Sequence, residues 1–305
     1  MPKANDLPDV LETTEAERLA TGFTFTEGPL WHPEGYYYFV DLRANKLYRI
    51  TPGQAPQLVR ETQEGNGTTF DLQGRLIHCE HAARAVTRLH PEGTVEIVAD
   101  RYLGGRFNKP NDVVCRSDGS LFFTDPDKRM PYSRREIPSP EGVDNTWDGA
   151  AVYCIAPDGA VSQVALCEYP NGLAFSPDEH TLYVANTRSS KYLHALEIDA
   201  AGRMTRRRIF ADMNEGDRPG IPDGVKVDSE GRVFCSGPGG IWVFTPQGER
   251  IGIIEFPEQA VNFAFGGPDL RTLFCCAYTS VYTLRMKVPG QPHPWYRLRG
   301  EVTRR

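Results

Sequence analysis

At 305 residues, 40% apolar and 24% charged with a formal net charge of −6, the chain has the balance of a folded globular protein rather than a disordered one. The acidic balance argues against nucleic acid and anionic membrane as partners, and no apolar run approaches the roughly 20 residues of a membrane span. Seven cysteines, odd in number and set mostly in apolar strand patterns, predict buried free thiols in a reducing compartment, hence a cytoplasmic protein.

Residues 1–14 read as a polar lead-in without a signal-peptide pattern. From there to residue 288 one pattern recurs: a polar head, a short apolar strand, a tight turn and a returning strand, followed by outer strands. Its clearest copy is Asn111-Asp112, Val113-Val114-Cys115, the turn Ser117-Asp118-Gly119 and Leu121-Phe122-Phe123-Thr124. In chain order the heads are Glu27, Asn66, Asn111, Asn171, Asp223 and Asn262, separated by 39, 45, 60, 52 and 39 residues. A period of roughly 40–50 residues with four short strands per unit predicts a six-bladed, all-β propeller with four-stranded blades. Two β-sandwiches fit less well, because a sandwich needs no repeating polar head. The sixth repeat stops before an evident fourth strand, and Arg18 to Phe25 is positioned to donate it and leave no open edge. The widest gap holds an insertion, 125–149, rich in Pro and charge, for which a lid over the channel mouth is expected. Residues 289–305 form a basic tail without a core pattern, expected to be a solvated extension or an oligomer contact in a monomer or homodimer.

In a propeller the first strand of each blade lines the central channel, so residues at its start converge at one end of that channel. All six heads carry side-chain oxygen. Carboxylate and amide oxygens suit a hard divalent cation such as Ca²⁺ or Mg²⁺, and no His/Cys spacing suggests a closed zinc site. A single Asn-Gly or Asp-Gly pair is ordinary turn chemistry. Four heads beside Gly, all at one phase before an apolar strand, are harder to explain that way.

Thr26-Glu27-Gly28-Pro29, Lys109-Pro110-Asn111-Asp112, Tyr169-Pro170-Asn171-Gly172 and Ile221-Pro222-Asp223-Gly224 resemble the four metal-site motifs of the regucalcin/gluconolactonase family. The resemblance runs from about residue 15 to residue 287. The segments Asn108 to Asp112 and Cys79-Glu80-His81 are most similar to its bacterial gluconolactonases. It implies a six-bladed propeller, one divalent metal in the channel and hydrolysis of a sugar lactone such as glucono-1,5-lactone. Glu27, Asn111, Asn171 and Asp223 would be the ligands, with Asp223 also the catalytic base. Ca²⁺ is the first expectation, with Mg²⁺, Mn²⁺ or Zn²⁺ as alternatives. Asn66 and Asn262 share the phase but not the motifs and are expected to line the channel, Asn66 in contact with substrate. Arg106 and Asn108 correspond to a substrate-contacting segment of the family, although Lys109-Pro110 intervenes before the Asn-Asp pair. His81, ending the second blade's returning strand, is a further candidate at the mouth. No Gly-x-Ser-x-Gly elbow supports a serine hydrolase. The competing functions are a hydrolase of other lactones or organophosphates on the same site, and a non-catalytic binding propeller.

Overall fold

A computed structural model describes residues 7–126, 150–188 and 190–300. Among these residues the repeats form six four-stranded sheets, five of them with strands in sequence order from the channel outward. Pairing within the blades is antiparallel because the turns joining neighbouring strands are short. In the third blade Val113–Cys115 pairs with Leu121–Asp125. The turn between them places Gly119 at φ +90°, where a side chain is disfavoured. Its N–H donates to Arg116 O (2.9 Å), while Asp118 Oδ1 accepts from the Ser120 N–H (2.9 Å).

The last blade is completed from the other end of the chain. Glu17–Thr21 lies antiparallel to Ser280–Arg285, in the register Glu17↔Thr283 and Thr21↔Ser280. The expectation of a donated strand holds, within a slightly earlier span. Each innermost edge faces the channel and each outermost strand is partly solvated, so inner strands are buried along their length while Val95–Ala99 is mostly exposed. That is why the inner strands read as unbroken apolar runs.

The core lies between blades. Tyr37 of the first blade stacks on Phe274 of the sixth (centroids 4.3 Å apart), Phe122 of the third meets Phe175 of the fourth edge-on (5.0 Å), and Phe234 of the fifth meets Phe265 of the sixth (5.3 Å). All seven cysteines are buried and unpaired. Among the described residues no helix is long and apolar enough to cross a membrane.

The expected solvated tail is not what residues 289–300 form. A short helix, Pro294–Arg299, begins at His293, whose Nδ1 accepts from the Trp295 N–H (3.1 Å), and Trp295 and Tyr296 are buried. Trp295 lies 4.7 Å from the Phe70 ring and covers Gly74, where a Cβ would come within 2.2 Å of the indole. The Tyr296 hydroxyl donates to Trp31 O, and His293 Nε2 meets Thr69 Oγ1 at 3.1 Å. The segment thus caps the far end of the channel. Its signal was two adjacent aromatics in too short a run to show periodicity. Trp295→Ala is expected to cost roughly 3–5 kcal/mol, read as a lower urea midpoint at unchanged m-value. An unchanged midpoint would mean that the helix does not pack in solution. The insertion expected to act as a lid lies, but for its first two residues, outside the described residues.

Candidate active site

The glycine after a head is a packing requirement rather than a turn residue. A Cβ at Gly28 would fall 2.1 Å from Asn66 O, one at Gly67 2.3 Å from Asp112 Oδ1, one at Gly172 2.1 Å from Asp223 O, and one at Gly224 2.3 Å from Asn262 Oδ1. Each innermost strand therefore abuts the head of the next blade, and at Gly28 a φ of +55° adds a conformational demand. Backbone bonds tie the ring: Gly67 N–H to Asn111 O (2.8 Å), Gly172 N–H to Asp223 O (3.0 Å) and Gly224 N–H to Val261 O (3.1 Å). Asn262 Nδ2 closes it by donating to Glu27 Oε2 (2.9 Å).

The ring of heads floors a cavity of about 760 Å³ lined by Glu27, Asn66, Asn111, Asn171, Asp223 and His81. All four expected ligands and two of the expected substrate contacts are thus brought together. Arg106 and Asn108 do not line it. Arg106 lies on a two-stranded ribbon (Arg101–Tyr102 with Gly105–Arg106), its Nη2 donating to Ala83 O (2.6 Å) and its Nε 3.9 Å from Asp100. Asn108 is buried, its N–H donating to Asp125 Oδ2 (2.8 Å). Of this segment it is Lys109, between Asn108 and the Asn111 head, that lines the cavity.

Electrostatically the floor is strained. Burial raises the Glu27 carboxyl from 4.5 to about 7, with the charge of Asp112 adding to the effect. Asp223, partly buried, is pushed well above the usual carboxylate range by desolvation and then by Glu27 and Asp112. Lys226 opposes both shifts. Asn171 Nδ2 is engaged with Thr187 Oγ1 (2.9 Å), which itself donates to Pro222 O (2.8 Å); this leaves the buried Asn171 Oδ1 without a donor. Two mutually repelling carboxylates and an amide oxygen lacking a donor make a set that a hard cation would satisfy. Among the described residues no cluster of three or more His, Cys, Asp or Glu side chains suited to a metal occurs, and the carboxylate and amide groups of the heads at the cavity are Glu27, Asn66, Asn111, Asn171 and Asp223. His81 Nε2 lies 3.0 Å from Asn66 Nδ2, and burial holds the ring well below its usual pKa, leaving it neutral.

Sequence reasoning missed Asn262 as the residue that orients Glu27, and Thr187 as the one that orients Asn171. It also missed Lys226, whose Nζ lies 3.5 Å from Asn262 Oδ1. The signal for Lys226 was present. Three residues after each head come Leu30, Thr69, Val114, Ala174, Lys226 and Phe265, which line a cavity of about 140 Å³ at the capped end of the channel. One lysine among five uncharged residues at the same phase marks a counter-charge within the channel.

The family model described as SMP-30/Gluconolactonase/LRE-like region matches residues 25–279. A gluconolactonase of Zymomonas mobilis is 31% identical over 95% of this chain and 85% of its own. A pentonolactonase of Haloferax volcanii is 28% identical over 81% of this chain and 79% of its own. Among solved structures, a gluconolactonase of Xanthomonas campestris superposes with a TM-score of 0.83 at 32% identity, covering 93% of each chain. The chain belongs to the SMP-30/gluconolactonase/LRE-like family.

Proposed function

We propose that this chain is a hydrolase that opens a sugar lactone, glucono-1,5-lactone to gluconate, at one divalent cation held by Glu27, Asn111, Asn171 and Asp223. The observation that carries this reading is the cavity floor itself, where two repelling carboxylates and the unsatisfied Asn171 oxygen meet. The gluconolactonases similar to it support the substrate. Ca²⁺ is our first assignment because the donors are all oxygen; Mg²⁺, Mn²⁺ and Zn²⁺ compete for the same set. The cytoplasm is the assigned compartment, on the seven unpaired thiols.

When bound, the cation would polarise the lactone carbonyl and offset the charge that develops on its oxygen. The remaining steps fall to the chain. Asp223 takes a proton from the attacking water as the water oxygen bonds to the carbonyl carbon. The ring C–O bond then breaks, and its oxygen leaves as a hydroxyl with a proton returned from Asp223. Asn66 and neutral His81 supply uncharged hydrogen-bonding groups for the sugar hydroxyls.

Proton release from glucono-1,5-lactone in weak buffer tests the proposal, against the spontaneous rate. Chelation is expected to remove the catalysed rate and one cation, added singly, to restore it. The same cation at 100 times its Kd should stabilise the fold by about 2.7 kcal/mol. A rate at background with every cation would overturn the assignment.

A further inference from the structure

Around the mouth of the same cavity the charge reverses. Its described lining holds two carboxylates, Glu27 and Asp223, and four cations: Arg43, Lys109, Arg188 and Lys191. They come from the first blade, the approach to the third and the fourth, so they surround the opening rather than clustering on one side. Two are held by aromatic rings: Arg43 lies 4.9 Å from the Phe25 centroid and 5.7 Å from that of Tyr278, and Arg188 lies 5.1 Å from that of Tyr169. Among the described residues Arg43, Lys109 and Lys191 form no ion pair, and Glu64 acts on Lys109 without pairing with it. This is unexpected in a chain of net charge −6, whose other arginines are repeatedly paired, as in Arg75–Asp71, Arg232–Asp228 and Arg285–Asp269.

A dication on the floor would consume the charge of Glu27 and Asp223 and leave Arg43, Lys109 and Lys191 without an ion-paired counter-charge among the described residues, in a concave, partly desolvated space. Such a cleft concentrates anions and strengthens their contacts. A neutral sugar lactone offers these groups only hydroxyl oxygens. A lactone with a carboxylate, sulfonate or phosphate at the end remote from its carbonyl would offer charge-assisted bonds while its reacting carbon sits at the floor. We propose that the preferred substrates are lactones bearing such an anionic substituent, recognised by Arg43, Lys109 and Lys191. This rests on the lactonase reading above and narrows its substrate class.

The experiment compares kcat/KM of the metal-loaded enzyme for glucono-1,5-lactone, an aldaric acid monolactone and a 6-phosphoaldonolactone, at low and high ionic strength. The expected result is a preference of roughly tenfold or more for at least one anionic lactone, shrinking as salt screens the mouth. The carboxylate and phosphate arms identify which anion is taken. In the double variant Lys109→Met/Lys191→Met the anionic-to-neutral ratio should fall roughly tenfold, whatever happens to either rate alone. Turnover of the neutral lactone with no anionic preference would overturn this inference and leave the lactonase reading intact. If no lactone is turned over, that reading fails. Binding still decides the mouth's role: an aldarate dianion should bind more tightly than gluconate, with a steeper salt dependence, and equal binding would overturn it.

Discussion

Asp223→Asn is expected to lower turnover of glucono-1,5-lactone by roughly 10²–10⁴-fold while making the cation-free protein more stable. The two halves come from the same geometry. The amide keeps the size of the side chain but cannot take a proton from water. It also removes one of two carboxylates that repel each other across the floor, where desolvation and Glu27 already hold the Asp223 carboxyl above its usual range. The sign follows from linkage. With Glu27 raised from 4.5 to about 7, the folded chain holds its proton more tightly than the unfolded chain does. Glu27 therefore costs increasing stability as the pH climbs from about 4.5 to about 7, and the raised Asp223 carboxyl adds a cost of the same sign. Melting curves of chelated wild type and variant across this window should diverge, the variant melting higher at pH 7.5 and showing less loss between pH 5 and 7. Added cation should stabilise the wild type much more than the variant. A variant that melts lower than wild type without metal would show that Asp223 is a structural residue; one that retains turnover would remove it as the base.

Gly172→Ala is expected to be nearly as damaging to activity, although it adds only a methyl group and removes no functional atom. The new carbon would lie 2.1 Å from the carbonyl oxygen of Asp223 and 2.8 Å from the Cα of Gly224. Both are backbone, so no side chain can turn aside. Relief requires the start of the fifth blade's inner strand to move, and with it the Gly172 N–H to Asp223 O bond of 3.0 Å. A displacement of about 1 Å at a catalytic group costs on the order of 10²-fold in rate, and overpacking costs roughly 1–3 kcal/mol in stability. Measured side by side, kcat/KM should drop at least as far as for a conservative change at Asn66, with weakened cation binding. Wild-type activity in a folded Gly172→Ala protein would mean that the blades are not packed head to strand as described.

What the sequence made legible was what repeats. The phase of the heads, the turn glycines and the missing fourth strand of the last blade all recur at a fixed interval, and the structure has the six blades and the donated strand they imply. Residues fixed by a neighbour distant in sequence were not legible. Glu27 is oriented by Asn262, 235 positions away, and nothing local to either residue signals the pair. Arg43 stands in a one-turn 3-10 helix, and Arg188 and Lys191 in the matching connection of the fourth blade, where a cation reads as ordinary surface. The capping helix lies beyond the last repeat and has six residues, too few for a period. Lys226 differs from these: it is periodic, the one charged residue three positions after a head, and so was legible in the sequence.

The donated strand has a consequence for how the molecule is made. Glu17–Thr21 leaves the ribosome first, yet its partner Ser280–Arg285 follows roughly 260 residues later. Until then five blades can form in succession, but the annulus stays split, with the first-made strand lacking its partner and the edges flanking the split open to pairing with another chain. The final click is therefore a post-synthetic event of very long sequence separation, slow by its topology and the moment of greatest exposure to aggregation. Once made, it converts a row of blades into a hoop that cannot fray from either end. A chain shortened past residue 21 would reopen it at that seam while the other five blades remained intact in sequence.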